Sequence, residues 1–234
     1  MTIPYVRWIP LLTLPLASCI FVVGDADWDG SHAFHSRAIR GSGVRAEADR
    51  AVDEFRAIEL ETHANVQVRV GEAPAVHLAG DDNLLDEIET TVEDGVLSIG
   101  LERSANFRCG LEVVISTPSL ERFTIEGSGD VQIEGLAADH LKLAIEGSGA
   151  LCAKGTAKSL LGSIDGSGEL NLAELEAGEA DLSIEGSGAM QVHVLRDLHY
   201  SIEGSGDIDY IGEPQIGGRI EGSGNIARAA ETQP

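Results

Sequence analysis

The chain has 234 residues, with 39 acidic against 16 basic side chains and a formal net charge of −23. That charge repels phosphate backbones and anionic lipid, so nucleic acid is excluded as a partner and cations or basic surfaces are left as electrostatic ones. A hydrophobic content of 43% suffices for one continuous core, while 28 glycines and only 4% aromatic residues suit thin β-layers.

In the first 19 residues Arg7 is the only charge, and Trp8 to Ala17 is largely apolar. This run reads as a secretory address whose apolar region is too short to serve as a final anchor. It ends in Leu16-Ala17-Ser18-Cys19, which resembles a bacterial lipobox. The branched Leu16 stands three before the cysteine and the small Ser18 directly before it. The expectation is a lipoprotein-type signal peptide over residues 1–18, cleaved before Cys19, which is then lipidated. Ile20 follows in place of an aspartate, so retention at the inner membrane is not signalled. A plain secretory signal and a buried N-terminal strand are the competing readings. Membrane contact is expected through the lipid alone. The location is then the bacterial cell envelope, as an outer-membrane lipoprotein or a periplasmic or exported protein.

Residues 19–48 mix Asp, Gly, Ser, His and Arg without periodicity and read as a flexible tether. His32 and His35 stand three apart there, a spacing read as solvated linker in preference to a metal pair.

Residues 49–124 are strand-like without a fixed repeat. Phe55 to Leu60 and Val66 to Val70 alternate apolar and polar side chains, the signature of half-buried strands. Gly80-Asp81-Asp82-Asn83 reads as a turn, Leu84 to Thr91 as one helical turn or a bent strand, and Asp94-Gly95 as a hairpin. Leu111 to Ile115 reads as a buried strand. This region is expected to form irregular first rungs, or a cap over an open sheet end that would otherwise recruit other chains. A homo-oligomer is compatible with such an end. Cys109 and Cys152 are 43 residues apart, about two rungs or nearly 10 Å if rungs stack 4.8 Å apart. A disulfide needs Cα atoms within about 7 Å, so two buried free thiols are expected.

From residue 125 to 230 one phrase dominates. Ile-(Glu/Asp)-Gly-Ser-Gly recurs six times, with its isoleucine at Ile125, Ile145, Ile164, Ile184, Ile202 and Ile220, at intervals of 20, 19, 20, 18 and 18 residues. Short period-two runs flank each copy, and glycine interrupts every helical frame. Such a period predicts a β-solenoid whose rungs each bury their apolar face on the next. The isoleucines would form one inward column, and Val131, Leu151, Leu170, Met190, Ile208 and Ile226 a second. The turns are Gly127-Ser128-Gly129, Gly147-Ser148-Gly149, Gly166-Ser167-Gly168, Gly186-Ser187-Gly188, Gly204-Ser205-Gly206 and Gly222-Ser223-Gly224. Their serines would stack as a hydroxyl ladder. The fold class is therefore all-β, a single-stranded parallel β-helix with about 18–20 residues per repeat.

Several of these motifs occur together in one family. Gly41-Ser42-Gly43, Phe55-x-x-Ile58-Glu59-Leu60, Gly80-Asp81-Asp82-Asn83-Leu84-Leu85, Asp94-Gly95-x-Leu97 and the serial Gly-Ser-Gly turns resemble the GIN domain of bacterial putative auto-transporter adhesins. The resemblance spans about residues 41–228. It implies a right-handed β-helix similar in shape to pectin lyases, a place in the cell envelope and a role in adhesion. It transfers no catalytic residue.

The residue after each repeat isoleucine is always acidic: Glu126, Glu146, Asp165, Glu185, Glu203 and Glu221. Stacking would put these carboxylates in one outward file, where neighbours at 4.8 Å repel by about 0.9 kcal/mol in bulk water before screening. They are the candidate site. Three readings compete: a solvated face that deters aggregation, carboxylates bridged by calcium, and a docking surface for a basic protein or cell-surface partner. The turn followers Asp130, Glu169, Asp207 and Asn225 would add oxygens, but Ala150 and Ala189 interrupt them. No cofactor other than calcium is suggested. Polysaccharide cleavage is the enzymatic alternative, yet His140, His193 and His199 fall at unrelated repeat offsets and no acid–base set is visible. The expectation is a non-catalytic protein.

Overall fold

A computed structural model describes residues 38–229. The expected signal segment, Cys19, His32 and His35 lie outside the described residues. In chain order the strands are β1 (Ile39–Arg40), β2 (Arg45–Arg50), β3 (Ala57–Leu60), β4 (Asn65–Val70) and β5 (Ala75–Asp81). A 3-10 turn at Leu85–Glu87 leads to β6 (Ile88–Glu93), β7 (Val96–Leu101), β8 (Ala105–Asn106), β9 (Glu112–Thr117) and β10 (Arg122–Gly127). The repeats follow as β11 (Asp130–Gly147), β12 (Ala150–Gly166), β13 (Glu169–Gly186), β14 (Ala189–Gly204), β15 (Asp207–Ile211), β16 (Gln215–Gly222) and β17 (Asn225–Arg228).

The repeats stack as parallel rungs, so the chain is a β-solenoid. Ile125 pairs with Ile145, Ile145 with Ile164, Ile164 with Ile184, and Ile184 with Ile202. Each of these side chains is buried, as are Val131, Leu151, Leu170, Met190 and Ile208 of the second column. The long strands β11 to β14 each carry most of a rung and bend where their register shifts, as between Ile133 and Leu136. One face of every rung is thus apolar for the same reason: only alternate side chains point inward.

The glycine phrase closes each rung by two different means. Gly166 has φ +127, open to glycine but costly for other residues, and a Cβ there would collide with the Gly147 carbonyl. The second glycine lets rungs approach: a Cβ on Gly149 would sit 2.8 Å from the Gly129 oxygen and 3.0 Å from Ile125 Cγ2. The serine between them is exposed. Its backbone N–H makes the ladder, as Ser148 donates to the Gly127 carbonyl at 2.9 Å and Ser167 to that of Gly147 at 2.8 Å.

Residues before the repeats supply both further rungs and a cap. β10 pairs in parallel with β3, and β3 with β7; β11 pairs in parallel with β4, and β4 with β9. The inward column therefore continues from Ile125 to Leu60 and Ile99, and the second from Val131 to Val66 and Val113. Beyond these rungs the pairing turns antiparallel, β6 on β7 and β2 on β5 on β9. The hairpin from β6 to β7 turns at Asp94 (φ 51) and Gly95 (φ 78), the positive pair that a two-residue turn requires.

Two expectations change. Strand β2 pairs with β5 in the main sheet and β1 with β8 in a separate two-stranded sheet, so residues 39–40 and 45–48 of the expected tether are in strands. Polar alternation hid them: Ala46 and Ala48 are the only apolar residues on β2, and they pack against the core. Both described cysteines are free, but neither is fully buried. Cys152 follows the inward Leu151 and so points outward into solvent.

Candidate functional site

Parallel register places the six acids in one unbroken file. Glu126 pairs with Glu146, Glu146 with Asp165, Asp165 with Glu185, Glu185 with Glu203, and Glu203 with Glu221. All six are exposed. In the flanking column, the position before the isoleucine carries Ser163, Ser183 and Ser201 in three successive copies, a short hydroxyl border beside the middle of the file.

The file extends one rung further than the repeat phrase. Leu60 occupies the isoleucine slot, and the next residue is Glu61. Glu126 reports the crowding. Its carboxyl titrates above the ordinary range, first because of partial burial and then because of Glu61, Glu146 and Glu59. Glu61 was missed from sequence because Thr62 replaces the glycine that marks the other copies; the apolar–acid pair Leu60-Glu61 was the signal.

Among the described residues, charge on the file is compensated at one end. Arg219 lies 3.1 Å from Glu203 and 3.7 Å from Glu221. Arg122 meets Glu59 at 3.1 Å in the neighbouring column, outside the file. Among the described residues, Glu126, Glu146, Asp165 and Glu185 have no basic side chain within salt-bridge distance. Cations elsewhere in the repeats pair away from the file, Lys154 with Glu174 at 3.1 Å and Lys158 with Asp139 at 2.6 Å.

A second outward column shows that such crowding is avoidable. There Asp130, Ala150, Glu169, Ala189, Asp207 and Asn225 stack in that order. Acids alternate with alanines, which doubles their spacing to about 9.6 Å and roughly halves the repulsion. The first file has no such relief. Among the described residues, no group of three or more His, Cys, Asp or Glu is arranged to hold a metal ion.

The cap holds one buried carboxylate, on Asp81. It accepts hydrogen bonds from the backbone N–H groups of Gly43 at 2.6 Å, Arg108 at 2.7 Å and Cys109 at 3.0 Å. The Cys109 N–H is the main cause of its lowered pKa, with burial opposing. The same pairing and the burial push the Cys109 thiol upward, burial first. Asp81 thus clasps the Gly41–Gly43 segment to the Phe107–Gly110 loop. A side chain on Gly41 would strike this carboxylate. From sequence, Asp81 reads as a turn residue with no such part.

A β-solenoid with a repeated glycine turn, a clasped cap and one acidic outward file defines the class. The family described as putative auto-transporter adhesin, head GIN domain, matches residues 54–214, and the chain belongs to it. Among solved structures it is similar to a putative adhesin from Bacteroides fragilis NCTC 9343, at 25% identity and a TM-score of 0.67, covering 82% of this chain and 100% of that one. A putative adhesin from Parabacteroides merdae ATCC 43184 shares 22% identity at a TM-score of 0.59, over 82% of this chain and 99% of that one. A putative lipid binding protein from Parabacteroides distasonis ATCC 8503 shares 22% identity at 0.53, over 83% and 100%. These last two likenesses show the fold alone. A search of curated proteins found no match. Among the described residues no helix is long and apolar enough to cross a membrane.

Proposed function

We propose that the chain is a non-catalytic cell-envelope protein, lipid-anchored through Cys19, whose rigid acidic file docks a basic partner surface. The unbroken run Glu126, Glu146, Asp165 and Glu185 carries this reading. Neither the core nor the turn needs an acid there, and the alternating second column shows a less repulsive pattern on the same scaffold. Preset carboxylates on stacked strands also lose little conformational freedom on binding, which favours a partner with matching cations. Membership of the adhesin family supports a surface role.

Calcium is the alternative occupant, favoured by the crowding of Glu126 against Glu61, Glu146 and Glu59. Polysaccharide cleavage requires a differentiated acid and base. The file offers one carboxylate per rung, and His140, His193 and His199 stand at other positions of the rung. The test is capture from intact envelopes by the immobilised full chain, at low and high salt, with and without millimolar calcium. The reading expects basic proteins to be captured, released by salt and indifferent to calcium. Capture that is insensitive to salt contradicts it, and capture that requires calcium favours the cation.

A further inference from the structure

The two ends of the solenoid are finished differently. At the N-terminal end the outermost strands β2 and β6 run antiparallel to their neighbours, and β2 reads Arg-Ala-Glu-Ala-Asp-Arg. Charges on every outward position deter a further strand. At the other end β16 pairs only with β14 and β17 only with β15 among the described strands, so one edge of each has no strand beside it. Ile216 and Ile220 stand 44% and 38% exposed there, although Ile220 occupies a column position that is buried in every earlier repeat.

This last rung also departs from the repeat in one residue. The position before the isoleucine is Thr124, Ala144, Ser163, Ser183 and Ser201 in the preceding copies, and Arg219 in the last. The edge strand therefore contains Gly218-Arg219-Ile220-Glu221-Gly222, which is charge-complementary to itself when read backwards. In antiparallel pairing centred on Ile220, Arg219 stands across from the partner's Glu221 and Glu221 across from the partner's Arg219. Ile220 meets its own copy, and Gly218 meets Gly222. All four charged side chains then lie on the outward face and both isoleucines on the inward face, because the period of two is shared.

We propose that β16 is a self-association edge, on which a second copy of this chain docks by two-fold antiparallel strand pairing. The pairing buries Ile220 and continues the isoleucine column through the junction. It also supplies partners for the free backbone groups of the last rung. A two-fold interface of this kind closes on itself, so the product is a dimer and not a fibre. Arg219 has five donors, and its present contacts to Ser201, Glu203 and Glu221 leave room for one more carboxylate.

Sedimentation velocity of the full chain at physiological salt, across micromolar to submillimolar concentration, tests this. The expected result is a reversible monomer–dimer equilibrium. Arg219→Glu puts acids against acids across the junction and Glu221→Arg puts bases against bases, so each variant alone should dimerise at least about tenfold more weakly. Mixed in equal amounts, the two variants should form a heterodimer as tight as the wild-type dimer, a result that misfolding cannot imitate. A wild type that stays monomeric, as it would if residues 230–234 or another segment covered the edge, overturns the proposal. So does growth into longer oligomers, or failure of the mixture to associate.

Discussion

The capped and the open end of this solenoid are built from the same columns but hold them in different ways. At the capped end Leu60 and Ile99 continue the isoleucine column and are fully buried, with antiparallel β6 laid on β7 beyond them. At the open end Ile220 continues the same column with solvent on one side. A column position therefore has no fixed energetic value. Its value depends on how many rungs lie beyond it, as expected when each repeat contacts only its neighbours.

The largest contrast is between equivalent isoleucines. Ile164→Asp buries a charge between two rungs and should cost more than about 4 kcal/mol, enough to unfold the chain. Ile220→Asp leaves its carboxylate in reach of water in the monomer and should cost less than about 1 kcal/mol. Urea unfolding at low protein concentration measures both. Equal losses would show that the last rung is covered.

Asp81→Asn comes next, because it replaces one of the two oxygens that gather three N–H groups by an amide donor. Its melting temperature at pH 7 should fall by roughly 5 °C or more. The pH dependence follows from the lowered pKa. The ionised carboxylate stabilises the folded chain above the ordinary value of about 4, and this contribution is lost as pH falls through the lower folded value. Wild type and variant should therefore converge in stability at strongly acidic pH. A constant difference down to pH 2 would show that the clasp acts through shape alone.

Glu126→Gln is the smallest effect and has the opposite sign. A raised carboxyl pKa means that the protonated form suits the folded state better. Its favourable contribution is complete below about pH 4 and is lost as pH rises through the folded value. The variant should melt slightly higher than wild type at pH 7, by up to roughly 2 °C, and no higher at pH 4. Thermal melts at the two pH values decide this. A variant that melts lower at pH 7 would mean that Glu126 makes an attractive contact.

The rungs were legible because the glycine phrase repeats in register, and the hairpin at Asp94-Gly95 because few dipeptides accept two positive φ angles. The order of the first rungs was not. β3 and β4 lie between the later-coming β7 and β9 on one side and β10 and β11 on the other, and local periodicity carries no information about which rung a strand joins. Strand β2 hid behind its charges. The acid file was legible as spacing, yet its free run and its one paired end depended on where Arg219 reaches. Asp81 escaped because its partners are backbone groups of residues 27 to 38 positions away.

The proposal that the file serves binding and not folding has one direct test. Replacing Glu126, Glu146 and Glu185 by Gln together with Asp165 by Asn tests it in one sample, with thermal melting and capture from intact envelopes measured side by side. The account predicts a melting temperature equal to or above wild type at pH 7 and capture reduced at least about tenfold. A large fall in melting temperature, or capture that is unchanged, would contradict it.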